Sequence, residues 1–245
     1  MSGEAVVGGG LRLRPLFALA LAQVQLALDP LDVAEWVREI LALRGEATGN
    51  PLEGCAWTGD LNGVDQLQHQ PLFAPLLERV AAEAMGYVEA LGFEQGRVAL
   101  HVQRAWPVVS EAGQLIGRHH HPNAHLSGIV YLSGDGTGAS GCLRLWPPAR
   151  PNELVPGLAV GHGGPIAIES EGARQWNAPW WDVAPRAGLV VLFPASVEHA
   201  VMENGTADDW RVSIAIDFCL TAPAEEAEAE YLAPHPSRWL EVGRV

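Results

Sequence analysis

Cysteine is scarce in this chain: three residues, Cys55, Cys142 and Cys219, are spread over 245 positions and none forms a CxxC pair. So sparse and odd a set excludes a disulfide framework and points to a reducing compartment. Basic residues are also few, 15 Lys+Arg against 29 Asp+Glu for a formal net charge of −14. With no basic cluster there is no footprint for nucleic acid, so no nucleic-acid partner is expected. Part of the acid is local, in a run holding Glu225, Glu226, Glu228 and Glu230, which reads as a solvated turn or linker. Long hydrophobic runs are missing too. The apolar stretch from Leu16 to Leu28 is interrupted by Gln23 and Gln25 and stopped by Asp29-Pro30. It falls well short of the roughly 20 residues a membrane span requires, and Met1 to Leu13 has no signal-peptide core. The expectation is a cytoplasmic protein with no membrane association.

What is present suits one domain. The length, 48% apolar residues and 18% charged residues are those of a globular chain with a sizeable core. The 27 glycines and 18 prolines favour turns and short strands over a helical bundle. The first third reads as helical. Asp29 and Pro30 form an N-cap and first turn, followed by the stripe Val33, Trp36, Val37, Ile40 and Leu41. Positions 45–70 read as irregular. A second helix is predicted from about Gln70 to Leu91, with a stripe of Phe73, Leu76, Leu77, Val80, Ala84, Tyr87 and Leu91 and a stop at Gly92. After Gly92, strands are predicted at Val98–Val102, Leu126–Leu132, Cys142–Trp146, Pro165–Ile168, Leu189–Phe193 and Arg211–Phe218, a pattern of sandwich, barrel or jelly roll. Long connections, Pro147 to Gly164 and the one holding Trp176, Trp180 and Trp181, are candidate functional loops. The organisation expected is a single domain, with helical support over about 1–95, a β-core over about 96–220 and a tail over 221–245.

Two clusters carry chemistry. In Arg118-His119-His120-His121-Pro122, residues two apart share a face of a strand, so His119 and His121 point inward together and His120 outward. His199, 78 residues after His121 and just past the strand Leu189–Phe193, is the best third ligand. Imidazole suits Fe, Zn, Cu or Ni. Twelve residues further, Arg211 to Phe218 alternates strictly. Val212, Ile214, Ile216 and Phe218 should face the helices, and Arg211, Ser213, Ala215 and Asp217 the interior. A buried guanidinium needs an anion. Either a small carboxylate ligand is held bidentately by Arg211 with Ser213 as a further donor, or Arg211 forms a structural pair with an acid on a neighbouring strand.

The order of these motifs resembles the 2-oxoglutarate/iron(II) oxygenases, and more narrowly the "putative 2OG-Fe(II) oxygenase" branch found in marine bacteria and phages. The resemblance rests on Leu16-Phe17, Cys55-Ala56-Trp57, the run His119 to Leu132 with its Ser127-Gly128-Ile129-Val130-Tyr131-Leu132 ending, Gly141 to Pro148 with Arg150, and Gly188 to Pro194 followed by His199, Arg211 and Ser213. It implies a mainly β fold with N-terminal helices, built on a double-stranded β-helix (jelly-roll, cupin-like) core. It further implies Fe(II) held by His119, His121 and His199 as the catalytic centre. 2-Oxoglutarate would be the co-substrate, its far carboxylate on Arg211 and Ser213 with Tyr131 as a further contact. The reaction would be hydroxylation of an organic substrate by dioxygen, with succinate and carbon dioxide released. A substrate site near Trp146, Arg150, Trp176, Trp180 and Trp181 and a homodimer are further expectations. One departure matters: His121 stands where the family's carboxylate usually stands. It is then a true third ligand, or lies behind an open position, or yields to a carboxylate such as Glu198 or Asp182. A three-His dioxygenase needing no 2-oxoglutarate, and a non-catalytic metal sensor, are the rival functions.

Overall fold

A computed structural model describes residues 5–7, 11–46, 52–150, 152, 176, 178–207, 209–225 and 231–243. The predicted strand Pro165–Ile168, most of the Pro147–Gly164 connection, and Glu226, Glu228 and Glu230 of the acidic run lie outside them. Strands β1 (Ala5–Val7) and β2 (Leu11–Leu13) form a small antiparallel pair of their own.

Helix α1 (Pro30–Glu46) starts where the sequence indicates, with the Leu31 amide donating to Asp29 Oδ1 at 2.8 Å. Trp36 and Ile40 are buried, and Val33, Val37 and Leu41 pack beside them. Helix α2 (Ala74–Ala90) buries Leu76, Leu77, Val80, Ala84 and Tyr87. Gly92 follows it in the left-handed region (φ 97°) that glycine adopts without steric cost. Leu91, expected on the buried stripe, is exposed at the helix C-cap, just past the last helical residue Ala90.

The core is two antiparallel sheets. The larger has the order β3 (Ala22–Gln25), β10 (Leu189–Pro194), β7 (Leu126–Tyr131), β12 (Arg211–Thr221), β5 (Ala99–Ser110), β4 (Trp57–Thr58). The smaller has the order β6 (Ile116–His119), β11 (His199–Val201), β8 (Leu143–Leu145), β9 (Trp181–Val183). Two facing sheets with helices on one side form the double-stranded β-helix that the sequence suggests. The alternation of β12 sorts its side chains as expected. Val212, Ile214, Ile216 and Phe218 join Trp36, Ile40 and the α2 stripe in the outer core. Ile129, Tyr131, Leu143, Leu145, Val191 and Phe193 fill the space between the sheets.

Reading the first third as helical and irregular is corrected at two points. Residues 22–25 and 57–58 are the two edge strands of the larger sheet. The first shows its period of two only over four residues, with Ala22 and Val24 half-buried and Gln23 and Gln25 exposed. Among the described residues no helix is long and apolar enough to cross a membrane.

Because Asp29 caps α1, Asp29→Ala should lower stability by about 1 kcal/mol. Chemical denaturation measures this, and the site below should keep its metal affinity.

Candidate metal and co-substrate site

The sheets face one another with their polar residues in register. In the smaller sheet, His199 pairs with His119 on one side and Leu145 on the other. In the larger sheet, Asp217 pairs with Ser127 on one side and Arg104 on the other. The chain crosses from β6 to β7 between these two rungs, and His121 lies in that crossover, its amide donating to Ala195 O at 2.9 Å.

The three histidines converge. Their ring centroids are 4.3 Å (119–199), 5.0 Å (121–199) and 5.2 Å (119–121) apart. One nitrogen from each lies within 4.8 Å of the others. In each ring Nδ1 is already engaged, by Gly117 O at 2.8 Å for His119, Val197 O at 2.9 Å for His199 and Asp217 Oδ1 at 2.5 Å for His121. Donation from Nδ1–H to these oxygens fixes the tautomer and leaves the Nε2 lone pairs for a common centre. Burial lowers the pKa of His119, and it lowers that of His199 to about 3, with the neighbouring His119 adding to the effect. Neutral imidazoles are the ligating form, and three converging imidazoles suit a divalent transition metal.

The carboxylates considered for the third position are engaged elsewhere. Asp182 forms a two-point pair with Arg144 at 2.7 and 2.8 Å, and exposed Glu198 pairs with Arg118. His120 is exposed, as expected. His125 is exposed as well, and its Nδ1 accepts from the Leu220 amide.

Arg211 is 1% exposed. Its Nη1 donates to the carbonyls of Ser140, Gly141 and Met202 at 2.7–3.2 Å. Gly141 permits this closure: a Cβ there would sit 2.2 Å from Met202 O and 2.4 Å from Arg211 Nη1. Nη2 of Arg211 and the hydroxyl of Tyr131 are both buried without a hydrogen-bond partner among the described residues. Burial raises the Tyr131 pKa, so the phenol remains a donor, and Ser213 lies directly across the strand pair from it. Two buried, unsatisfied donors, one of them on a guanidinium, are the chemistry that takes an anion, and a small dicarboxylate fits that chemistry.

Two of the tryptophans expected near the substrate contact arginines. Trp146 and Trp180 lie under the guanidiniums of Arg118 and Arg144 at 4.5 and 4.3 Å. Two aromatic rings lie beside the histidines, Trp106 at 5.7 Å from His121 and Phe193 at 4.9 Å from His199. Sequence reasoning overlooked Trp106, Arg104 and the role of Asp217. The alternation of β12 did place Asp217 facing inward, and an inward acid calls for a partner.

A family profile described as "Putative 2OG-Fe(II) oxygenase" matches residues 104–217. Comparison with solved structures finds SnoN, the non-heme alpha-ketoglutarate-dependent epimerase of nogalamycin biosynthesis. Its TM-score is 0.57 at 20% identity, over 92% of this chain and 89% of that one. The SnoN complex with Fe3+, alpha-ketoglutarate and nogalamycin RO is similar at TM-score 0.56 and 19% identity, with 92% and 89% covered. A Pseudomonas putida prolyl-4-hydroxylase is similar at TM-score 0.51 and 17% identity, with 82% and 92% covered. At these identities the structures speak for the fold. No curated protein sequence matches.

The His199 shift sets a pH dependence. Its unfolded imidazole titrates near the ordinary value of 6.5 and its folded one near 3. Between those values the unfolded state binds the additional proton, so stability falls as pH drops from about 6.5 towards about 3. Denaturation midpoints of metal-free protein at pH 7 and pH 4.5 should show this fall, and His199→Gln should shrink it. An equal fall in the variant would refute the assignment. The profile match covers the β-core from Arg104 to Asp217, and over that core this chain is similar to the 2OG-Fe(II) oxygenase family, on the same double-stranded β-helix fold.

Proposed function

We propose that the chain, acting as a single oxygenase domain, is a 2-oxoglutarate-dependent dioxygenase that hydroxylates an unactivated C–H bond of a small molecule, amino acid or peptide. In this reading His119, His121 and His199 hold Fe(II) through Nε2. Arg211, Tyr131 and Ser213 hold the far carboxylate of 2-oxoglutarate. When bound, iron and 2-oxoglutarate with dioxygen supply the oxidation, one oxygen atom going to the substrate and the other to succinate as carbon dioxide leaves.

The residues of the chain position and shield. Gly117, Val197 and Asp217 hold the imidazoles in the ligating tautomer. The carbonyls of Ser140, Gly141 and Met202 occupy Nη1 of Arg211, so that Nη2 is the donor left for an incoming carboxylate. Trp106 and Phe193, whose ring lies 4.9 Å from His199, exclude water from two sides of the triad. The observation that carries the reading is the pair of orphaned donors, Arg211 Nη2 and Tyr131 Oη, in a barrel that also gathers three histidines. A sensor that bound metal alone would have no use for them.

Calorimetry of 2-oxoglutarate binding to the nickel-loaded protein tests the reading. Removing one member of a buried charge pair costs about 2 kcal/mol or more, so Arg211→Ala should weaken binding by roughly thirtyfold or more. Iron-dependent succinate release should accompany binding in the wild type and vanish in His199→Ala. Equal affinity of wild type and Arg211→Ala would remove the arginine from the site. A wild type that binds no 2-oxoglutarate would favour a three-His dioxygenase whose acidic substrate meets Arg211 directly.

A further inference from the structure

The three histidines are not supported alike. His119 and His199 donate from Nδ1 to neutral backbone carbonyls. His121 donates to a carboxylate, Asp217 Oδ1 at 2.5 Å, with Ser127 Oγ 3.2 Å from the same nitrogen. Asp217 is 0% exposed, and its other oxygen accepts from Arg104 Nε at 2.7 Å. Arg104 is held in turn by the Trp106 ring, 4.6 Å from its guanidinium carbon, and lies 3.9 Å from Asp60.

This asymmetry falls on the one position that departs from the two-histidine, one-carboxylate pattern. A carboxylate hydrogen-bonded to a ligating imidazole raises the basicity of that ligand and passes part of its charge to the metal. We propose that Asp217 is a positioning residue that supplies, through His121, the negative charge a ligating carboxylate would otherwise bring, with Arg104 fixing its orientation. Asp217 itself does not touch the metal. The inference rests on the reading that His119, His121 and His199 hold the metal, and it adds which ligand carries the charge and from where.

The test uses the metal-free full chain titrated with cobalt(II), followed by calorimetry and by the visible ligand-field bands of the ion. Wild type should bind one cobalt. Asp217→Asn keeps the shape and removes the charge, and should bind cobalt about 10- to 100-fold more weakly. Its bands should shift, which loss of packing would not cause, and its metal-free melting temperature reports on folding. His121→Asp should also bind poorly, because it sets a second carboxylate beside Asp217. The double variant His121→Asp, Asp217→Asn restores one carboxylate in total and should bind more tightly than either single variant. Should Asp217→Asn not fold, Arg104→Met replaces a side chain that is 30% exposed while leaving the carboxylate in place. It should weaken cobalt binding and shift the bands in the same sense, and unchanged affinity and bands would overturn the proposal. Wild-type affinity and bands in a folded Asp217→Asn overturn it as well, as does a double variant no better than Asp217→Asn. A wild type that binds no cobalt at all overturns the three-histidine reading, and the inference with it.

Discussion

The constraint on which the site depends is the register of β12 between β7 and β5. With Ser213 opposite Tyr131 and Asp217 between Ser127 and Arg104, every polar side chain of the strand faces the interior. A slip of one residue would turn Arg211, Ser213 and Asp217 towards the helices and put Val212, Ile214 and Ile216 inside. The outer core resists that slip, because Ile214, Ile216 and Phe218 are buried against it at 0–1% exposure. The regular pairing with β5 is interrupted just after Asp217, where Phe218 pairs with Val102 and Gln103 is passed over. A bulge in β5 at that point interrupts the ladder beside the site, a common position for one.

The same strand presents opposite charges at its two functional positions. In the proposed reading Arg211 marks the anion-binding end and Asp217 the cation-binding end, six residues apart and on one face. Each is insulated from the other by its own local partners, three carbonyls for Arg211 and the His121 and Arg104 side chains for Asp217. 2-Oxoglutarate has matching halves, a chelating keto acid and a distal carboxylate. The barrel interior is therefore polarised in the direction this co-substrate requires, and the smaller sheet has only to bring His119 and His199 across from it.

Much of this was legible in the sequence, for reasons that can be named. His119 and His121 follow from spacing, and His199 from its place after an apolar strand. The inward face of β12 follows from an alternation without exceptions over eight residues. The edge strands were not legible: β3 is four residues and β4 two, too short to show a period. Nor was the Arg104–Asp217 pair, whose members are 113 residues apart and meet only through strand pairing. The orphaned Nη2 of Arg211 depends on carbonyls, which no side-chain pattern reports. The tryptophans illustrate the converse. Their abundance suggests recognition, yet Trp146 and Trp180 serve as platforms for arginines that are themselves paired with Glu198 and Asp182.

Burial explains why the charge sits behind His121. Trp106 and Phe193 flank the histidines, and His199 is 3% exposed, so the local dielectric is low and an unpaired ion there would be costly. A carboxylate in direct contact with the metal site would be uncompensated whenever the metal is absent. Asp217 is compensated at all times, because Arg104 is bound to it whether or not the triad is loaded. The arrangement pre-orients the three rings while holding an anion one hydrogen bond from His121. A dry site of this kind tolerates the empty state better than one whose carboxylate faced the cavity directly, because its buried acid already has Arg104 as a partner.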